Sequence, residues 1–193
     1  MKSLIFATNN IHKVLEIRAA LDGRFGITPL SEAGIDQDIP EPHDTLEENA
    51  LEKSSFIHRL TGKNCFSEDS GLEVDALSGA PGPRSARYAG ESADAGENIR
   101  KLLQEMKDVA DRRARFRTVI SLILDGMEYR FEGVCPGVIT MAPEGQGGFG
   151  YDPIFIPDGA DQTFAHMSTQ QKNKYSHRKK ALERMITFLL DRL

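Results

Sequence analysis

The C-terminal half of the chain carries residue types that can bind a flat heterocyclic base. The segment 149–153 reads Phe-Gly-Tyr-Asp-Pro, and the segment 176–178 reads Ser-His-Arg. An aromatic ring can stack on the face of a base, while carboxylate, imidazole and guanidinium groups can hydrogen-bond to its edge. We therefore expect these segments to form a base-binding site. Its candidate residues are Phe149, Gly150, Tyr151, Asp152, His177 and Arg178.

A second group, upstream, carries phosphate donors and carboxylates. The segment 8–13 reads Thr-Asn-Asn-Ile-His-Lys, Glu48 precedes an Asn-Ala pair, and the segment 68–72 reads Glu-Asp-Ser-Gly-Leu. Mg²⁺ binds one or two carboxylates together with phosphate oxygens, and cationic side chains neutralise the rest of a polyphosphate. Taken with the base-binding residues, this group predicts a nucleoside triphosphate held at both ends, and so an enzyme that acts on nucleotides.

Local patterns predict the elements that position the upstream group. Ser3–Ala7 is predicted to be a short buried strand, and Lys13–Leu21 a helix, because apolar residues recur on one helical face. A strand, loop and helix in this order place free backbone N–H groups next to the loop, which favours anion binding. A second helix is predicted from Thr45 to about Leu60, with Thr45 as its N-cap and Glu48 at the capping-box position.

The carboxylates Glu68 and Asp69 are predicted to lie on a turn. Cys65–Ser67 has the pattern of a short strand, and Leu72–Ala76 alternates like a second one. Further along, Phe116–Leu124 and Met127–Val134 are predicted to form a β-hairpin, because an Asp-Gly pair separates them.

His177 and Arg178 are predicted to open the C-terminal helix, in which apolar residues from Leu182 to Leu190 recur at helical spacing. The helix macrodipole disfavours a cation at this end unless an anionic ligand removes the penalty. That mismatch favours a functional role for both residues.

Composition limits the class of protein. The chain has 193 residues, 39% of them hydrophobic, and a net charge of -5, which fits a single domain spanning 1–193 and disfavours binding to a nucleic-acid polymer. The basic segment Arg112–Arg117 is predicted to be a solvated loop leading into a strand. The longest apolar stretch, Val119–Leu124, is far too short to span a membrane, and Cys65 and Cys135 form no metal-binding spacing. We expect a cytoplasmic protein without a membrane partner.

Each motif also has an ordinary structural explanation. Adjacent carboxylates are common on surface turns, Glu48 alone is better explained as a capping residue, and the lysines at 13, 53 and 172 are ordinary surface residues by default. Gly145–Gly150 formally matches a dinucleotide-binding motif, but the Tyr-Asp-Pro that follows disfavours the required helix. The chain contains no P-loop motif.

Taken together, the motifs resemble the inosine triphosphate pyrophosphatase family, and the match runs in order along nearly the whole chain. A single motif of this kind would be weak, whereas seven in order are specific. They are Thr8-x-Asn10-x-x-Lys13, Glu48-Asn49-Ala50 with Lys53, Asp69-Ser70-Gly71-Leu72, Gly79-Ala80-Pro81-Gly82, Ser85-Ala86-Arg87-Tyr88, Gly147-Gly148-Phe149-Gly150-Tyr151-Asp152-Pro153, and Lys172 with Ser176-His177-Arg178.

The resemblance implies an α/β fold, with a long, twisted, mixed β-sheet and flanking helices that form two lobes around an active-site cleft. It implies a homodimer and a requirement for Mg²⁺. The implied reaction is hydrolysis of non-standard purine nucleoside triphosphates (ITP, dITP and XTP) between the α and β phosphates, to the monophosphate and pyrophosphate, which cleanses the nucleotide pool.

The resemblance also implies roles for individual residues. Asp69 is implied as the general base and as an Mg²⁺ ligand, together with Glu48 and with Glu68, which stands where many relatives have Asp. The implied substrate-binding residues are Thr8, Asn9, Asn10, Ile11, His12, Lys13, Lys53, Ser70, Phe149, Gly150, Tyr151, Asp152, Lys172, His177 and Arg178.

His177 and Arg178 are expected to donate to the O6 carbonyl of hypoxanthine or xanthine. Arginine has no acceptor, so the 6-amino group of adenine would meet an unmatched donor there.

Two other classes of protein stay open: a nucleotide-binding module without catalysis, and a related pyrophosphatase of the Maf-like kind that prefers modified pyrimidines.

Overall fold

The structure is a computed structural model that describes residues 3–21, 23, 25–37, 39–92 and 94–192. In these ranges, six strands form one mixed sheet in the order β2-β1-β3-β4-β5-β6. The strands are β1 (Ser3–Phe6), β2 (Gly26–Pro29), β3 (Cys65–Val74), β4 (Arg113–Leu124), β5 (Met127–Ile139) and β6 (Phe155–Pro157). Strand β1 pairs in parallel with β2 and β3, whereas β5 pairs antiparallel with β6.

Helices account for most of the other regular structure. The α-helices are α1 (Ile11–Leu21), α2 (Leu46–Thr61), α3 (Ala95–Glu105), α4 (Thr169–Lys172) and α5 (His177–Leu190). Short 3₁₀ helices span Asp75–Leu77, Gly82–Arg87, Asp152–Ile154 and Phe164–His166. The predicted α/β class with a mixed sheet is therefore confirmed. Among the helices of the described ranges, none combines the length and the apolar character that crossing a lipid bilayer requires.

The chain forms two compact units. The first comprises the chain up to Asp69, Thr118–Gly133 and the chain from Arg178 onward, and the second comprises Ser70–Arg117 and Val134–His177. The single domain spanning 1–193 stays a prediction.

The core of the first unit forms where α1 and α5 cover the apolar side chains of β1 and β3. The rings of Phe6 and Phe66 stack with their centroids 4.5 Å apart and nearly parallel planes. The C-terminal helix is amphipathic because its buried residues recur three and four positions apart. Those residues are Ala181, Leu182, Met185, Ile186 and Leu189.

The core of the second unit is rich in aromatic residues. Phe155 and Phe164 are almost fully buried, and Phe116 packs against both rings, with centroids 4.7 Å and 6.0 Å away. Leu102 and Met106, from α3 and the turn after it, are fully buried in the same cluster. This core supports the glycine-rich segment that precedes Phe155.

Two local predictions about strands are wrong. The segment around Glu68 and Asp69 is not a turn, because β3 continues from Cys65 to Val74 and both carboxylates are buried in it. Carboxylates are tolerated at buried strand positions when cations pair with them. The basic segment is likewise strand from Arg113 onward, where Arg115 pairs with Glu73 at 2.6 Å.

The predicted hairpin is confirmed. Strands β4 and β5 are joined by Asp125 and Gly126, with φ angles of 52° and 82°. Positive φ at both central residues is the requirement of the tight hairpin turn that an Asp-Gly pair favours.

Candidate active site

The loop between β1 and α1 is organised by its own side chains. The Thr8 hydroxyl accepts a hydrogen bond from Asn10 N at 3.1 Å, and Asn10 Oδ1 accepts from His12 N at 3.0 Å and from Lys13 N at 3.3 Å. Asn10 therefore caps α1, which keeps the positive end of the helix at the loop. The side chains of Asn9, Ile11 and His12 are exposed. The predicted phosphate-binding segment is thus a helix N-terminus that faces solvent.

Lys53 connects two carboxylates in the first unit. Its Nζ lies 3.1 Å from Asp69 Oδ1 and 2.5 Å from Glu41 Oε1. Helix α2 supplies Lys53, β3 supplies Asp69, and the segment before α2 supplies Glu41. Burial alone would lower the pKa of Lys53, but Asp69 and Glu41 raise it above its ordinary value. The lysine is therefore a fixed positive charge at this cluster.

Asp69 has properties suited to a general base or a metal ligand. It is only 4% exposed, and its Oδ2 atom is buried without a hydrogen-bond partner. Burial raises the pKa of this carboxyl and Glu41 adds to the rise, while Lys53 acts in the opposite direction. A buried polar atom without a partner is rare and calls for an explanation such as a ligand or an ion.

Glu68 is the centre of a separate buried ion network. Arg178 Nε lies 2.9 Å from Glu68 Oε1 and 2.8 Å from Oε2, and Lys13 Nζ lies 3.3 Å from Oε1. The Arg178 guanidinium also donates to Glu16 from α1. Burial would raise the pKa of Glu68, but Arg178 and Lys13 lower it below its ordinary value. Glu68 is therefore an ionised anchor for two cations predicted to bind substrate.

Glu48 lies at the N-terminus of α2, where the sequence predicts a capping residue, and its role as a metal ligand stays a prediction. It is exposed, its amide donates to the Thr45 hydroxyl at 3.2 Å, and that hydroxyl donates to Glu48 Oε2 at 2.8 Å. These contacts stabilise the first turn of α2, as its position in the sequence predicts. Glu41, which was not predicted from the sequence, pairs with the same Lys53 Nζ as Asp69. The local signal for Glu41 was weak, because it lies in a segment with two prolines and makes its contact through tertiary packing.

In the second unit, Asp152, Lys172 and Phe149 come together. Asp152 Oδ2 accepts hydrogen bonds from Phe149 N at 2.9 Å and from Lys172 Nζ at 2.7 Å. The same Nζ lies 4.7 Å from the centroid of the Phe149 ring. Asp152 and Lys172 are buried, whereas Phe149 and Gly150 are partly exposed. Of these residues, only Phe149 carries an aromatic ring, and it is partly exposed.

His177 and Tyr151 are also placed by packing inside the second unit. The His177 imidazole is stacked on Phe116 with centroids 4.9 Å apart and planes 10° apart. The Tyr151 hydroxyl donates to Ser85 O at 2.8 Å, and burial raises the pKa of the phenol. Tyr151 is therefore a core residue that supports the loop. Ser70, the first residue of this unit, is partly exposed on β3.

The predicted residues thus form two sets, each inside one unit. The first set contains two ion networks. In one, Lys53 pairs with Asp69 and Glu41. In the other, Glu68 pairs with Lys13 of the 8–13 loop and with Arg178, which also contacts Glu16. The second set joins Phe149, Asp152 and Lys172, and His177 stacks on the same aromatic core. In the described ranges no group of three or more His, Cys, Asp or Glu side chains is arranged to hold a metal ion.

A family profile and individual relatives match this chain over almost its whole length. The profile of the Ham1 family matches residues 4–188, so the chain belongs to the Ham1 family. A dITP/XTP pyrophosphatase of Porphyromonas gingivalis is 51% identical, with 98% of each chain covered. One of Flavobacterium johnsoniae is 45% identical, with 96% of this chain and 97% of the relative covered. The resemblance inferred from the motifs is confirmed.

A solved structure supports the fold. The Staphylococcus aureus Ham1 protein is similar to this chain, with a TM-score of 0.90, 39% sequence identity and full coverage of both chains. A likeness at this level of identity supports the same α/β architecture.

Proposed function

We propose that this protein hydrolyses non-standard purine nucleoside triphosphates, namely ITP, dITP and XTP, to the monophosphate and pyrophosphate. The relatives named dITP/XTP pyrophosphatase support this proposal, because they match over nearly the full chain. The observation that carries it is the buried Asp69 carboxylate, which Lys53 holds beside Glu41 while one oxygen makes no hydrogen bond.

The phosphates of the substrate are assigned to the loop between β1 and α1 and to the residues around Lys53. The N-terminus of α1 offers backbone N–H groups to an anion, and Lys13 and Lys53 add positive charge. Glu68 holds Lys13 in position, since their atoms lie 3.3 Å apart and Glu68 itself is buried. Ser70 and Thr8 supply hydroxyl donors.

Mg²⁺ fits the residues at Asp69. The ion needs one or two carboxylates plus phosphate oxygens, and Asp69 and Glu41 are two carboxylates on one lysine, the first with a buried oxygen that lacks a partner. When bound, the ion would polarise the phosphoryl group and neutralise developing charge. We assign Glu41 and Asp69 to hold it, because Glu68 is occupied by Arg178 and Glu48 by its helix cap.

Asp69 is the proposed general base. Its Oδ1 is held by Lys53, which fixes the orientation of the carboxylate that would accept a proton from water. Because burial raises its pKa, the carboxylate is a stronger base than an exposed aspartate. Attack of the activated water at the α-phosphorus would release pyrophosphate, whose charge Lys13 and Lys53 would stabilise.

The base is assigned to Phe149, which would supply a stacking face, and to His177, which would supply a hydrogen-bond donor. Donation from Arg178 to O6 stays a prediction. The same guanidinium already donates to Glu68 and Glu16, and these contacts compete with a contact to the base. We propose that Arg178 acts first as the counter-ion of Glu68, and that selection for O6 depends mainly on His177.

A panel of nucleotides with Mg²⁺ tests the function. ITP should yield IMP and pyrophosphate without IDP, and ATP should be a poor substrate. Stepwise release of orthophosphate, with IDP visible by chromatography, would refute the assigned cleavage site. Binding of ITP without turnover would identify a non-catalytic nucleotide-binding module, and preference for modified pyrimidine triphosphates would identify the Maf-like alternative.

We also propose a cytoplasmic homodimer, on the strength of the resemblance. Light scattering coupled to size-exclusion chromatography would show about twice the mass of the 21.4 kDa chain. A monomer at micromolar concentration would refute the dimer and leave the catalytic proposal unaffected.

A further inference from the structure

The glycine-rich loop before β6 holds Phe149 through a buried ion pair. We propose that Gly148, Asp152 and Lys172 form a latch that positions the Phe149 ring as the stacking platform for the purine base. Asp152 is then a positioning residue that acts through Phe149, not a group that reads the base. The inference rests on the proposed function, because it takes a purine nucleotide as the ligand.

The Asp152 carboxylate faces the loop. Its Oδ2 accepts the backbone N–H of Phe149 at 2.9 Å and the ammonium group of Lys172 at 2.7 Å. Asp152 is 3% exposed and Lys172 is 6% exposed, so this pair is shielded from water. A hydrogen bond to a charged acceptor in such surroundings is stronger than one between neutral groups. The contact therefore fixes the backbone at Phe149.

Lys172 fixes the ring as well as the carboxylate. Its Nζ lies 4.7 Å from the centroid of Phe149 and 5.3 Å from that of Phe164, and a cation at such distances is attracted to both ring faces. Phe164 is 1% exposed and belongs to the aromatic core of the unit. The core therefore supports Lys172, and Lys172 and Asp152 together hold Phe149.

Gly148 makes the close approach of the loop to Asp152 possible. It has φ of +74°, and a Cβ at this position would lie 2.8 Å from Asp152 Cβ and 2.9 Å from Asp152 Cγ. Any side chain there would displace the carboxylate from its two donors. In the sequence, Gly148 is one of several glycines in the segment 145–150. Only the fold shows that Gly148 in particular lies against Asp152.

A double-mutant cycle on ITP hydrolysis tests the latch. Phe149→Ala should raise KM about tenfold, the usual effect of losing a base–aromatic stack. Asp152→Ala should raise KM by a similar factor, with kcat changed less than about threefold, and the double variant should be within about twofold of the larger single effect. If Asp152 contacts the base independently, the two factors would multiply to about a hundredfold, and the latch would be refuted.

A pair of glycine variants supplies a test that leaves every charge in place. Gly148→Ala should raise KM for ITP about tenfold, and adding it to Phe149→Ala should change little more. Gly159→Ala is the matched control, because Gly159 has φ of +84° and a Cβ there would meet nothing within 4 Å. It should alter KM less than about twofold. Equal KM values for the two folded glycine variants would overturn the proposal.

The outcomes separate the latch from the function on which it rests. Wild-type protein that forms no IMP and pyrophosphate from ITP would refute the proposed function and the platform with it. An active wild type with additive effects of Phe149→Ala and Asp152→Ala would leave the function intact and refute the latch alone. If Asp152→Ala does not fold, the cycle of Gly148→Ala with Phe149→Ala decides the question.

Discussion

Replacement of Arg178 tests whether this residue is primarily a buried counter-ion. Arg178 is 3% exposed, the Glu68 side chain is fully buried, and the arginine Nε contacts both carboxylate oxygens at 2.8–2.9 Å. Removing one partner of a buried ion pair costs about 3–5 kcal/mol, because the other charge stays buried. Glu68 would still have Lys13 at 3.3 Å, so we expect Arg178→Ala to lower the free energy of unfolding by about 3 kcal/mol.

The assay is urea unfolding monitored by circular dichroism, with melting as a second measurement. A loss of this size should lower Tm by about 6–12 °C for a chain of this length. Arg184→Ala is the control on the same helix, because Arg184 is exposed and donates to a backbone carbonyl, and it should cost less than about 0.5 kcal/mol. Arg178→Lys keeps the charge without the forked geometry and should give an intermediate loss.

The pH dependence of the free energy of unfolding is a further test of the Arg178–Glu68 ion pair. In the folded protein Arg178 and Lys13 hold the pKa of Glu68 below its ordinary value of 4.5, so the stability from this carboxylate is present above pH 4.5 and lost as pH falls through the folded pKa. The difference in stability between wild type and Arg178→Ala should therefore persist from pH 7 to about 4.5 and shrink as pH falls further, through the folded pKa of Glu68. A variant with unchanged stability and a selective loss of ITP over ATP would refute the counter-ion role and support direct reading of O6.

Three further predictions concern the first unit. Asp69→Asn should lower kcat about 10²-fold or more, because it removes the proposed base, and should lower Tm less than Arg178→Ala does, because Lys53 keeps its pair with Glu41. Near-normal turnover would exclude Asp69 from the mechanism. Glu41→Gln should lower kcat/KM about tenfold or more and raise the Mg²⁺ concentration needed for half-maximal rate. Glu48→Gln should mainly lower Tm, because it weakens the cap of α2. The reverse pattern would identify Glu48 as the metal ligand. Burial raises the pKa of Cys65 to about 12, so iodoacetamide at pH 8 should modify it far more slowly in the folded protein than in urea, as mass spectrometry would show; equal rates would contradict its burial.

The local pattern of the sequence determined a substantial part of this fold. The Asp-Gly hairpin, the Thr45 cap of α2 and the start of α5 at His177 follow from short segments whose backbone preferences act within a few residues. The order of the motifs was sufficient to identify the family, because seven spaced motifs are specific even when each one has an ordinary explanation.

Only the tertiary structure decided the partners of the charged residues. Arg178 and Glu68 are 110 positions apart in the chain, and Lys53 is 16 positions from Asp69, so no local pattern could pair them. The acidic pair in β3 looked like a turn for the same reason: charged residues favour solvent unless distant cations accompany them into the interior. Glu41 pairs with the same lysine as Asp69 because of how the segment before α2 packs, whereas the sequence of α2 alone predicted that Glu48 would stabilise its first turn.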